Sequence, residues 1–124
     1  MRVGGYKGGI YMASTVDDTT CIWDALIDNR VDRIVDKHGE CEHLRSLLSR
    51  SGLGRNLRGG ELVWMTDRTP HEALPLPSNS LGTYRQFFRV VSPPISRWYA
   101  KHSTPNPKVP VPSSVQIIHE SKFD

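Results

Sequence analysis

The sequence predicts a mainly β domain with one short helix, on three observations. Runs rich in β-branched and aromatic residues recur along the 124 residues, separated by glycine, proline and aspartate, the punctuation expected of strands and turns. One window, 40–50, carries its apolar residues at clear helical spacing. Composition is ordinary for a folded protein, 37% hydrophobic and 23% charged, so the chain has enough apolar material to bury a core of its own.

The elements follow in order. Met1 to Gly9 holds four of the 10 glycines and reads as a loop or an interrupted strand. Ile10–Ala13 and Thr19–Ile27 read as two strands, and Asp17-Asp18 between them suggests a hairpin with an acidic turn. Asp28–Gly39 alternates charge with Val31, Ile34 and Val35, a pattern open to an irregular loop or a weak helix. Over Glu40–Arg50, Cys41, Leu44, Leu47 and Leu48 share one helical face, and Gly52 supplies a stop.

A Gly- and Arg-rich loop, 51–60, precedes the strongest strand, Glu61–Thr66. Its run Leu62-Val63-Trp64-Met65 predicts burial on both faces. Pro70, Pro75 and Pro77 enforce a turning path to a further strand, Thr83–Val91, while Ile95–Lys101 reads as a short helix or strand. Pro105, Pro107, Pro110 and Pro112 remove backbone donors, so residues 105–124 are expected to form an extended, partly packed tail behind a single β-rich domain, 1–104. Leu62, Trp64, Phe87 and Val90 are the expected core, with the helix packed outside.

Charge and cysteine content narrow the function classes. The net charge is +3, but 16 Lys and Arg are interleaved with 13 acids, which disfavours a phosphate-tracking stripe and hence a nucleic-acid partner. No window approaches the roughly 18 apolar residues of a membrane span, and no apolar leader opens the chain. The expectation is a soluble cytoplasmic protein acting on a small molecule, with Cys21 and Cys41 as reduced thiols. Neither a phosphate-binding glycine loop nor paired CxxC motifs occur.

Chemistry concentrates in Gly60-Glu61-Leu62-Val63-Trp64-Met65-Thr66-Asp67-Arg68-Thr69-Pro70-His71. Pro70 restrains the backbone immediately before His71, presenting an imidazole at a strand end with little freedom. Arg85, on the next predicted strand, offers a fork-shaped cation suited to a carboxylate. This segment, followed by Pro75 and Arg85, resembles the distal half of the phytanoyl-CoA-hydroxylase-like Fe(II)- and 2-oxoglutarate-dependent oxygenases. The resemblance spans Gly59 to Val91, about a quarter of the chain.

The resemblance implies a double-stranded β-helix of the jelly-roll or cupin type, or a fragment of one, with Fe(II) and 2-oxoglutarate as cofactors. It makes His71 an iron ligand and Arg85 the anchor of the 2-oxoglutarate carboxylate. The family's His-x-Asp pair, which supplies its other two ligands, is absent; Asp17, in Thr15-Val16-Asp17, and Asp24, in Ile22-Trp23-Asp24, stand nearest its expected place, with His43 or His38 as the imidazole that a two-histidine, one-carboxylate triad needs.

Structural roles stand beside these: His71 as a hydrogen-bonding partner, Arg85 paired with Asp67 or Glu72, Asp17 and Asp18 as turn residues, His43 on a solvated helix face. Two functions follow. One is an iron- and 2-oxoglutarate-dependent oxygenase-like domain acting on a small organic substrate; the other is a catalytically inactive jelly roll that binds a small carboxylate or a protein partner in the same cavity.

Overall fold

A computed structural model describes residues 6–28, 41–76, 82–92 and 95–121. Among the described residues the protein is mainly β with one short helix. Its strands are β1 (Gly9–Ser14), β2 (Thr20–Trp23), β3 (Gly54–Asn56), β4 (Val63–Thr66), β5 (His71–Ala73), β6 (Phe87–Val91), β7 (Arg97–Tyr99) and β8 (Gln116–Ile118). No helix among the described residues is long and apolar enough to cross a membrane.

Six strands form two antiparallel three-stranded sheets, ordered β4-β1-β6 and β3-β2-β5. The core lies where their inner faces meet. Met12 of β1, Ile22 of β2, Leu57 after β3 and Met65 of β4 form one buried cluster, with Ile10 and Val63 packed against it. Alternation explains the selection: Ile10 and Met12 point inward with their partners Met65 and Val63, while Tyr11 and its partner Trp64 point outward.

The expected burial of Glu61–Thr66 on both faces is therefore corrected. Trp64 is 43% exposed and Leu62 62%, because only one face of a sheet meets the opposing layer. Trp64 instead meets Tyr6 edge to face, ring centroids 5.6 Å apart, and lies over Gly9, where an added Cβ would stand 2.6 Å from the indole nitrogen. Val90, partner of Tyr11, is likewise outward and exposed. Phe87 points inward, opposite Ser14, yet is half exposed at a sheet edge.

The expected hairpin of β1 and β2 is also corrected: the two strands belong to different sheets. Asp17 and Asp18 still make the turn between them, and Asp18 takes a positive φ of 57°, a conformation aspartate tolerates better than most residues. The turn changes layer because Asp18 donates its amide to the Leu57 carbonyl, and Leu57 returns its own amide to Thr20.

The helical window resolves into a 3-10 turn, Glu42–Leu44, and helix α1, Arg45–Ser51. Gly52 ends it with φ 70°, the left-handed cap that glycine adopts without a Cβ clash. Leu48 is its buried anchor. Most of the Asp28–Gly39 segment lies outside the described residues.

Strand β6 begins at Phe87, later than the expected Thr83. Ile95–Lys101 contains both alternatives, strand β7 followed by a 3-10 turn, Ala100–His102. The proline-rich tail is more ordered than its composition suggests, since β8 pairs in parallel with β7 and a turn joins Asn106 to Val109. Cys21 and Cys41 are not joined in a disulfide; burial, then the charge of Glu72, pushes the Cys21 thiol above its ordinary range.

Candidate functional site

The segment Thr66-Asp67-Arg68-Thr69-Pro70 is a hydrogen-bonded corner that carries the chain from β4 in one sheet to β5 in the other. The Thr69 hydroxyl accepts the Thr66 amide at 3.1 Å and shares a hydrogen bond with the Thr66 hydroxyl at 2.9 Å. Thr66 Oγ1 accepts the Arg68 amide. The corner is tied outward as well: Trp23 donates its amide to the Pro70 carbonyl, Ile27 donates to the Arg68 carbonyl, and the Arg68 side chain returns a bond to the Ile27 carbonyl. Asp67 caps the other side by accepting the Lys7 amide. These residues serve as scaffold, and what they present is His71.

His71 is the first residue of β5 and pairs with Ile22, which puts it on the inner side of its sheet. Its Nδ1 donates to the Thr69 carbonyl at 3.0 Å. A carbonyl only accepts, so the neutral ring carries its proton on Nδ1 and keeps the Nε2 lone pair available.

Arg85 reaches the same region from the other sheet. Its Nε donates to Ser14 Oγ at 3.0 Å, and its guanidinium carbon stands 5.0 Å from the centre of the Phe87 ring. Ser14 and Phe87 are partners on the inner face of β1 and β6. Among the described residues no carboxylate pairs with this guanidinium. The Asp67 carboxylate accepts the Lys7 backbone amide, and Glu72 pairs with Arg45 at 2.7 Å.

His71 and Arg85 line one cavity of about 370 Å³, open between the edge strands β5 and β6 and floored by Ile10 and Met12. That volume lies within the usual range of small-molecule sites. Arg89 is also part of its wall. The sequence reading missed it, although period-two alternation from Arg85 through Phe87 was a usable signal.

Asp17 lies elsewhere. Its Oδ1 accepts the Gly59 amide at 2.6 Å, its Oδ2 stands 3.9 Å from Arg58, and it is absent from the His71 cavity wall. It pins the β1–β2 turn to the loop before β4. Asp24 lines a different cavity, beside Trp64 and Thr69, His43 sits exposed in the 3-10 turn before α1, and His38 lies outside the described residues. No group of three or more His, Cys, Asp or Glu that could hold a metal occurs among the described residues. A two-histidine, one-carboxylate iron site is thus matched by His71 alone, and the described donor set does not fit the metal.

A smaller cavity of about 200 Å³, which His71 also borders, lies between β5 and α1 and is walled by Trp23, Leu48, Arg45 and Glu72. There Arg45 bridges Glu42 and Glu72, holding the Glu42 carboxyl below its ordinary range. This network docks α1 against β5 and ties the Glu72 carboxylate to Arg45. Comparison with protein-family models, characterised proteins and solved structures returns no match to this chain.

Proposed function

We propose that this chain is a jelly-roll domain that binds a small carboxylate, of which 2-oxoglutarate is the first to test, in the cavity between β5 and β6. The observation that carries the reading is the convergence of Arg85 and His71, from different sheets, on one cavity in which Arg85 has no carboxylate partner among the described residues. A guanidinium held by Ser14 and Phe87 keeps its outer nitrogens for a ligand, and an oriented fork binds a carboxylate through paired hydrogen bonds.

The winding of the chain supports the double-stranded β-helix. From β3 to β6 successive strands alternate between the two sheets, so the chain coils around the core rather than forming neighbouring hairpins. The alternation also brings the ends of β5 and β6 to one opening.

A second reading, an iron- and 2-oxoglutarate-dependent oxygenase-like domain, is favoured by one feature. The Nδ1 bond of His71 to a backbone carbonyl is the arrangement that orients metal-binding imidazoles. This reading requires two further ligands beyond the described donor set.

Titration calorimetry with 2-oxoglutarate, without and then with Mn(II), tests both. The carboxylate reading expects metal-free binding that weakens roughly thirtyfold or more in Arg85→Met, the order of 2–5 kcal/mol for losing a charge-assisted pair, and that persists in His71→Ala. Binding that appears only with Mn(II) and vanishes in His71→Ala replaces it with the oxygenase reading. A protein that binds 2-oxoglutarate under neither condition refutes both.

A further inference from the structure

The cavity wall carries a second guanidinium besides Arg85. Four titratable side chains line it, His71, Glu72, Arg85 and Arg89. The single acid among them is already engaged: Glu72 Oε1 and Oε2 accept from Arg45 at 3.2 and 2.7 Å. Two guanidiniums therefore face one space with no carboxylate paired to either among the described residues. Arg89 stands on the inner side of β6 as the partner of buried Met12, and Arg85 lies just before the strand, two residues ahead of inward-facing Phe87.

The two side chains stand on successive rows of the cavity wall. The Arg85 head is drawn along the strand to the Ser14–Phe87 row, by the bond to Ser14 Oγ and the contact with the Phe87 ring. Arg89 occupies the next inward row, about 7 Å along β6. A cluster of like charges in a cleft with apolar walls raises the local concentration of anions, most strongly of those carrying two charges.

From this geometry we infer that Arg89 is a second anion anchor and that the site selects linear dicarboxylates over monocarboxylates. The inference rests on the carboxylate-binding reading above and adds to it a residue and a ligand class. Arg85 holds one carboxylate, in the position that Ser14 and Phe87 prepare. Arg89 holds the other, while its aliphatic stem covers Met12 at the cavity floor. Ile10 and Met12 meet the methylene chain between them.

Glutarate and pentanoate separate the two anchors, since they share a five-carbon chain and differ by one charge. Calorimetric titrations of both, at low ionic strength, are made on the wild type, Arg89→Met, Arg89→Lys and Arg85→Met. The wild type is expected to bind glutarate at least about tenfold more tightly than pentanoate. Arg89→Met removes that preference and leaves pentanoate affinity within about twofold, Arg89→Lys retains part of it, and Arg85→Met weakens both ligands. Because Arg89 is exposed, its replacement leaves the fold intact, which the unchanged pentanoate affinity verifies.

Equal wild-type affinities for glutarate and pentanoate overturn the inference while leaving a carboxylate site in place. So does an Arg89→Met variant that keeps the glutarate preference or weakens both ligands alike. A wild type that binds neither ligand removes the carboxylate reading itself.

Discussion

Replacing Thr69 with valine removes one hydroxyl while keeping the shape of the side chain, at the corner on which presentation of His71 depends. That hydroxyl accepts the Thr66 amide at 3.1 Å and bonds the Thr66 hydroxyl at 2.9 Å, and Thr66 is only 9% exposed. Valine leaves two polar groups of a buried residue short of a partner. An unsatisfied buried donor costs on the order of 1–3 kcal/mol, and Arg68 still occupies part of the Thr66 hydroxyl, so the expected loss is about 1–2 kcal/mol. Urea unfolding should show this as a lower midpoint with an unchanged slope, and thermal unfolding as a fall of roughly 3–10 °C. Thr69→Ser keeps the hydroxyl and is expected to lose less than half as much. A valine variant within about 0.5 kcal/mol of wild type, or one no less stable than the serine variant, would refute the assignment of Thr69 as the organiser of the corner.

Met65→Ala, at the centre of the cluster with Met12, Ile22 and Leu57 and 2% exposed, should cost about 2–5 kcal/mol in denaturant unfolding, whereas Trp64→Ala beside it should cost less because its ring faces solvent on one side. Glu61 is held below its ordinary carboxyl range by Arg55, whose nitrogens lie 2.6 and 3.1 Å from it, and by the Arg58 amide. A depressed folded-state carboxyl contributes stability above its unfolded pKa and loses it as pH falls through the folded one. The difference between wild type and Glu61→Gln should therefore be under about 1 kcal/mol near pH 7 and shrink progressively in unfolding curves taken as pH falls below about 4.3, the ordinary glutamate value.

Local chemistry made part of this protein legible in advance. Val63–Thr66 is a strand because its side chains suit a pleated surface, and Gly52 ends α1 because the left-handed cap rejects a Cβ. His71 does follow the strand and the restrained Pro70, but the strand it opens, β5, falls where the prolines suggested only a turning path. Such features depend on neighbours a few positions away, so one stretch of sequence contains their causes.

The choice of inner face was not contained there. Leu62-Val63-Trp64-Met65 is apolar at every position, so alternation separates two sets of residues without saying which is covered. Pairing with Ile10 and Met12, fifty or more residues earlier, turned Val63 and Met65 inward and left Trp64 outside. The same limit hid the layer change at Asp17-Asp18, which depends on bonds to Leu57, and the engagement of Glu72 by Arg45, 27 residues apart. Residue types alone made His71 and Arg85 candidates; sharing a cavity, with Arg89 beside them and Asp17 elsewhere, was decided by strand pairing across two sheets. The physical reason is that propensity and turn chemistry act over a few residues, whereas the partner of a strand is selected by burial summed over the whole chain.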